Sequence, residues 1–504
     1  MLVSAHQPNS QAMSSVSPVP GLLNSLDSGV SPTTNDFAQP LCKLRFAGCA
    51  YGYKYQDALI KNVAAVALKE GFKLNLSPHP SYVRDYFFHL NGKIKMSSSS
   101  VNVSEALDRG SSKNLYFSEI GTARTKQLSI SGDCGESLKY HSGAKKDYIE
   151  CYGTTPEELP FFLEGGNVFI LTNSQGVRKI LVGKNSLAQI HAQLRLDGAF
   201  KDLAVQEDLT DEQVIAGAEE MYAMKFLCFG KRTGFIPIKE TGIYKARRDV
   251  PSYRKESILT GLCQPFESKN VDIAKAKPFV AKFLAQKAAI PKLLEKHFQG
   301  EVHFIPSVGY HLDTFMMPGP AGSIFLQDFE ACKKVLNSIK QESKLTYHDQ
   351  YMLENYLKAA EILEKDLGGL LAAARAELEK AGFTVIGTPG NFLDYRTYDT
   401  RSTPGRHIHF LNAISGRNER HPYLITMGAK VGDHLGIYLM QAFEKFLKCY
   451  QPDLVVHFVG YNPENPTDFS LAMVGAAAFA GGIHCMSFEE EVSGSHYRKR
   501  DLKR

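Results

Sequence analysis

Apolar residues fall along this chain in two rhythms, and the switching between them is the first guide to its architecture. From Asp57 to Glu70, alanine and valine recur at the spacing of a helix that buries one face. The same period is sustained longest from Tyr351 to Gly382, where the glycine is suited to end the helix, and it returns from Ile437 to Cys449. Thr210-x-x-Gln213 reads as a capping box opening a helix through Phe226. Asp272 to Phe298 is a helical tract interrupted by Pro278 and Pro291. Strand-like runs lie between these: Tyr82 to Leu90, Val168 to Leu171, Lys179 to Val182, Val302 to Ile305, Ser323 to Leu326, Phe383 to Ile386, Tyr423 to Met427 and Leu454 to Val459. Asn173-Ser174-Gln175-Gly176 joins the second and third of them as a hairpin, since Asn and Gly tolerate turn geometry. Ser97 to Gly132 is polar and shows no regular element, and Arg396 to Arg420 reads as an arginine-rich loop. Strands alternating with helices predict an α/β fold, without the Gly-x-Gly-x-x-Gly fingerprint of a dinucleotide-binding sheet.

Length and composition narrow this picture. At 504 residues the chain suits one large or two medium domains, and 43% hydrophobic with 22% charged residues is ordinary for a globular protein. Residues 1–40 are rich in Ser, Pro, Asn and Gln and read as a flexible leader; 41–490 form the body, with a helical insertion at about 195–300, and 491–504 are a basic tail. Met1 to Gln39 lacks a basic segment followed by an apolar run, and the longest apolar stretch, Leu471 to Ile483, is too short to span a bilayer. A cytoplasmic protein with no membrane partner is the expectation. A net charge of +5 gives no case for nucleic acid. Between Asp272 and Phe298 six lysines stand against two acids, which reads as a solvated helix face or as a docking surface for an acidic partner. Nine scattered cysteines without Cys-x-x-Cys spacing read as buried thiols in a reducing compartment rather than zinc ligands.

Four short motifs carry chemistry: Arg84-Asp85, Glu164-Gly165-Gly166-Asn167, His311-Leu312-Asp313 and Gly481-Gly482-Ile483-His484-Cys485. Together they offer a thiol, an imidazole and three carboxylates. A guanidinium is planar, permanently cationic and rich in donors, so carboxylates grip it with paired hydrogen bonds. Asp85 and Asp313 are the candidates for that clamp, and a cation held beside Cys485 favours its thiolate. His311 and Asp313, two residues apart, would share a face if they lay on a strand. Glu164 is placed to accept a hydrogen bond from His311, and the paired glycines after it allow close backbone approach.

In this order the motifs resemble those of the guanidino-modifying enzyme (pentein) superfamily, which includes agmatine, arginine and peptidylarginine deiminases and amidinotransferases. The resemblance runs in patches from about Phe46 to Ser487, outside the leader and the insertion. It implies a pseudo-fivefold α/β-propeller of ββαβ units around the active site. It also implies Cys485 as nucleophile, His311 as general acid/base, Glu164 as its partner, and Asp85, Asp313 and Asn412 as substrate-binding residues, with His484 structural. In its long stretch from His311 to Cys485, containing His409-Phe410-Leu411-Asn412, the chain resembles the catalytic domain of peptidylarginine deiminases more than compact agmatine deiminases. There is no room for that family's N-terminal sandwich domains, and no calcium-binding loop pattern is present.

The implied reaction is hydrolysis of a guanidino group to a ureido group plus ammonia (arginine to citrulline) through a covalent thiouronium, with no metal or organic cofactor. An amidinotransferase would share the same residues and differ in its acceptor. A non-catalytic propeller module and a cysteine peptidase are the readings from other classes. The sequence leaves open whether the substrate is arginine, agmatine, methylated arginine or arginine in a protein, and it leaves the oligomeric state open. Arg401, Arg406, Arg417 and Arg420 read either as partners for an α-carboxylate or as exposed loop residues.

Overall fold

One strand pattern recurs through the chain: an antiparallel hairpin whose second strand is joined, in parallel, by a third. Strands paired in parallel need a crossover of a dozen or more residues, and that requirement explains the helices found in the described crossovers. The computed structural model describes residues 37, 41–46, 57–76, 94–96, 116–119, 125–128, 157–158, 165–184, 186–187, 190, 203–205, 208–227, 271–298, 300–306, 308, 311–393, 407–429, 431–460, 483 and 487–491.

The N-terminal sheet holds β1 (Leu41–Phe46), parallel to β2 (Lys73–Leu76) across helix α1 (Asp57–Glu70), with β3 (Ile94–Met96) parallel to β2. Next come β4 (Tyr116–Glu119) antiparallel to β5 (Thr125–Leu128), and β6 (Glu157–Glu158) parallel to β5. The third sheet pairs β7 (Val168–Thr172) antiparallel to β8 (Arg178–Gly183). Its crossover contains α2 (Asp211–Leu227) and α3 (Ile273–Phe298), and returns as β9 (Glu301–Ile305), parallel to β8. The fourth holds β10 (Met316–Pro318) and β11 (Ser323–Gln327), antiparallel. There α4 (Phe329–Glu342) and α5 (Tyr347–Lys380) lead to β12 (Thr384–Thr388), parallel to β11. A two-stranded ribbon follows, β13 (Asn391–Phe392) with β14 (Ile408–His409). The last crossover sheet has β15 (Ile414–Arg417) antiparallel to β16 (Pro422–Met427), then α6 (Leu435–Lys448) and β17 (Val455–Val459), parallel to β16. Finally β18 (Ser487–Glu491) returns to pair antiparallel with β1, giving the N-terminal sheet the same pattern as the other four crossover sheets. The chain is mixed α/β.

Local chemistry sets the helix ends. Thr346 caps α5, its hydroxyl accepting from the Asp349 amide at 3.2 Å while the Asp349 carboxylate accepts from the Thr346 amide at 3.2 Å. The same carboxylate reaches a second helix: its Oδ1 accepts from the amides of Asp433 (2.8 Å), His434 (3.0 Å) and Leu435 (2.9 Å), where α6 begins. One buried acid thus serves two helix N-termini, each rich in amide donors without helical partners. Gly382, at φ +86°, ends α5 where its sequence pattern placed the stop. Thr210 and Gln213 form the reciprocal capping bonds expected for α2. Helix α3 departs from expectation: it runs through Pro278 and Pro291 without a break. Each proline forfeits one backbone bond, while the buried row Ala276, Val280, Phe283, Ile290 and Leu294 spans both sites and holds the flanks on one face.

Two hydrophobic clusters stand out among the described residues. One gathers α1, α4, α6, the β13–β16 strands and Ile483; the other gathers Phe169, Leu181, Leu312, Met316, Leu326 and Phe383. Helix α5 serves both, with Met352, Leu353 and Tyr356 in the first and Ala359 through Leu378 in the second. Glu70, at the end of α1, ties the first sheet to the last: its carboxylate lies 2.7 Å from His457 Nε2 and 3.0 Å from His421 Nε2, and accepts from the Asn418 amide at 2.5 Å. Two segments predicted to be irregular contain strands: Ser97 to Gly132 holds β4 and β5, and the arginine-rich stretch holds β14 and β15. In the second, the buried run Ile408, Phe410, Leu411, Ala413 and Ile414 outweighs the flanking arginines. The predicted strand at Tyr82 to Leu90 lies outside the described residues. Among the described residues no helix is long and apolar enough to cross a membrane.

Candidate active site

Two single turns of 3-10 helix meet inside the protein. One, Gly165–Asn167, runs directly into β7; the other, Leu312–Thr314, follows His311 and precedes β10 by one residue. His311 is extended (φ −131°, ψ 159°), and the chain tightens immediately after it. The strand geometry expected for His311 and Asp313 is therefore replaced by an extended residue followed by a turn, which still brings the two side chains together. His311 Nδ1 lies 3.9 Å from Asp313 Oδ1, with the side chains 0% and 1% exposed. That separation is too long for a hydrogen bond, and the pair attracts as ions only when the imidazole is protonated.

Gly166, the second of the paired glycines, allows the close backbone approach its sequence promised. A methyl group on Gly166 would sit 2.6 Å from His311 Nδ1 and 2.7 Å from Asp313 Oδ2, so its bare backbone forms a wall of the site. Asn167 locks the two turns together: its Oδ1 accepts from the Leu312 amide at 3.2 Å, and its Nδ2 donates to Ser186 Oγ at 2.8 Å. Asn412, fully buried, donates from Nδ2 to the Asp313 carbonyl at 3.2 Å. The Thr314 hydroxyl donates to the His311 carbonyl at 2.6 Å, and the Phe315 amide to the Leu312 carbonyl at 3.1 Å. With its backbone groups engaged in this way, the turn fixes where the imidazole and the carboxylate sit.

Chain position adds a regularity. Asn167 immediately precedes β7, the His311 turn comes just ahead of β10, and Asn412 lies two residues ahead of β15. Each is thus at the entrance to the first strand of a hairpin-plus-crossover unit.

The structure therefore brings together His311, Asp313 and Asn412 of the residues singled out from sequence. Asp85, Glu164 and Cys485, with His484, Arg401 and Arg406, lie outside the described residues. Arg417 and Arg420 are exposed. Sequence reading missed Asn391, whose side chain donates to the Thr314 carbonyl at 2.5 Å. Following Pro389-Gly390, it looks like one more turn residue. Among the described residues no group of three or more His, Cys, Asp or Glu could hold a metal ion.

No family model matches the chain, and no curated protein matches it. In the course of its backbone the chain is similar to solved agmatine deiminases. The C. jejuni agmatine deiminase aligns over 92% of this chain and 98% of its own, at 12% identity and a TM-score of 0.45. A substrate-bound form of that enzyme gives a TM-score of 0.44 at 11% identity, with the same coverage of 92% and 98%. The agmatine deiminase of Enterococcus faecalis aligns over 92% of this chain and 96% of its own, at 12% identity and a TM-score of 0.41.

Proposed function

We propose that this protein is a deiminase that hydrolyses the guanidino group of a small molecule or of arginine in a protein, releasing ammonia and leaving a ureido group. The observation that carries this reading is the burial of His311 against Asp313 under the bare backbone of Gly166, three residues from two motifs far apart in the chain. It is supported by the order of the four motifs along the sequence and by the hairpin-plus-crossover pattern repeated in five sheets. In this reading the five sheets close into a pseudo-fivefold propeller within a catalytic body at 41–490, with β18 on β1 as the closing pair. Cys485 precedes β18 by two residues, as Asn412 precedes β15. In this reading Cys485 takes the equivalent place at the entrance to a unit, and its thiol faces the same guanidino carbon as His311.

The chemistry then follows. Asp313 and Asp85 grip the guanidinium, holding its central carbon toward the Cys485 thiolate and concentrating positive charge there. The sulfur–carbon bond forms, and His311 delivers a proton to the nitrogen that leaves as ammonia, giving a thiouronium. Water then yields a proton to His311 and adds to the same carbon. The carbon–sulfur bond breaks and returns the thiolate. Glu164 accepts a hydrogen bond from the imidazole and favours its protonated form during the first step.

The test is a ureido-product assay on arginine, agmatine, methylated arginines and an arginine-containing peptide, with Cys485→Ala alongside. Product from the wild type and none from the variant is the expected result. Absence of product from every substrate, or equal product from Cys485→Ala, overturns the proposal.

A further inference from the structure

We infer that Asn391 is a positioning residue for this site, holding the His311–Asp313 turn in register with the segment that carries Asn412. The inference rests on the reading of His311 and Asp313 as reacting and binding groups, and it adds a residue that no site motif contains.

Asn391 is buried, in the two-stranded ribbon between the fourth and last crossover sheets. Its Nδ2 donates to the Thr314 carbonyl at 2.5 Å, and its Oδ1 accepts from the Leu411 amide at 3.5 Å. One partner is a carbonyl and the other an N–H, so the orientation of the amide is fixed by what surrounds it. Its own backbone is clamped by the Gln327 side chain, which accepts from the Asn391 amide at 2.8 Å and donates to its carbonyl at 3.3 Å. The buried Cys332 thiol donates to that carbonyl as well, at 3.3 Å.

These bonds make one chain of contacts from a rigid strand end to the site. Gln327 is the last residue of β11 and fixes Asn391, whose amide spans from Thr314 to Leu411. Asn412, next in the chain, closes the loop by donating to the Asp313 carbonyl. Asp313 is thus tethered on its own carbonyl by Asn412 and on the following residue's carbonyl by Asn391. Removing the Asn391 donor leaves the Thr314 carbonyl buried without that bond, and the turn is free to move toward another partner.

The test compares Asn391→Ser and the isosteric Asn391→Asp with Asn173→Ser. Asn173 is a buried asparagine at the far end of β7, where its Nδ2 donates to the Ala381 carbonyl at 3.0 Å, and it serves as a control for loss of a buried amide. Per folded molecule, kcat for ureido release falls about 10- to 100-fold in both Asn391 variants, the scale set by a sub-ångström displacement of reacting groups, and stays within about twofold in Asn173→Ser. Asn391 variants that fold and turn over like wild type overturn the inference. If the wild type releases no ureido product, the proposed function fails, and Asn391 is judged by NMR instead. The imidazole resonances of His311, assigned by their loss in His311→Gln, are then expected to move in Asn391→Asp and not in Asn173→Ser. Resonances unmoved in Asn391→Asp would overturn the positioning role.

Discussion

Gly166→Ala is the smallest perturbation that reaches the site, and its effect can be worked out from two distances. The added methyl would lie 2.6 Å from His311 Nδ1 and 2.7 Å from Asp313 Oδ2, whereas ordinary contact begins at 3.4 Å. Both side chains are fully buried, and their backbones are held in a hydrogen-bonded turn, so neither can swing away into solvent. The overlap is relieved only by moving the two turns apart by about 0.7–0.8 Å, a displacement that costs up to about 100-fold in rate when it separates reacting groups. The same overpacking lowers stability by about 1–3 kcal/mol. Steady-state ureido release and urea unfolding, measured together, separate the two effects. Gly176→Ala supplies the comparison: Gly176 has φ +76° and open space around it, so a methyl there introduces backbone strain in the β7–β8 turn and no contact with the site. Turnover is expected to collapse in Gly166→Ala and to persist in Gly176→Ala at similar stability loss. A Gly166→Ala protein with kcat within about twofold of wild type refutes the reading of His311 and Asp313 as the reacting and binding groups.

Asp313→Asn keeps the shape of the side chain and removes its charge; turnover is expected to vanish while the circular dichroism spectrum stays native, and unchanged activity would remove Asp313 from the clamp. Asp349→Asn sets an amide against the N–H groups of two helix starts and is expected to cost roughly 2–4 kcal/mol by urea unfolding. Burial alone would raise the Asp349 pKa, but the amides of His434 and Leu435 and the Thr346 bonds outweigh it and hold it below the usual 3.8. A carboxyl depressed in the folded state contributes stability that is present above the unfolded value and lost as the pH falls through the folded one. The wild-type advantage over Asp349→Asn is therefore expected to shrink below about pH 4, and a gap that widens on acidification contradicts this sign. Burial pushes the Cys332 thiol up to about 12, so in the folded protein maleimide is expected to label exposed Cys449 and to reach Cys332 only on unfolding, as read by peptide mass mapping.

The long periodic elements were legible before any coordinates. The apolar rows of α1, α5 and α6, the Thr210 capping box and the Asn173–Gly176 turn all lie where sequence spacing put them, within a few residues at the ends. Such features are written locally, in the recurrence of apolar side chains and the chemistry of caps. Most of the strands that went unread are short: β2, β3, β6, β10, β13, β14 and β15 are two to four residues long, β4 and β5 are set in polar sequence, and of the two longer ones β1 alternates with basic residues and β18 contains the acidic run Glu489–Glu491. Runs that brief carry no period, and their pairing is decided by partners far along the chain. At the site, the pairing of His311 with Asp313 could be read from their spacing, and the two side chains do lie together. Their backbone could not, because a 3-10 turn and a strand place residues two apart differently and nothing in His-Leu-Asp distinguishes them. Asn391 was invisible for a related reason: its partners, Gln327, Thr314 and Leu411, come from three separate segments.

Helix α5 has its first turns in one apolar interior and its remaining length in the other, whose members include Leu312 in the turn beside His311. A rod shared in this way makes the two interiors mutual hostages: neither can melt without stripping side chains from a helix the other depends on. Cleaving the rod midway would leave each fragment with an unsheltered flank. The rod is continuous over 34 residues, from the cap at Thr346 to the stop at Gly382.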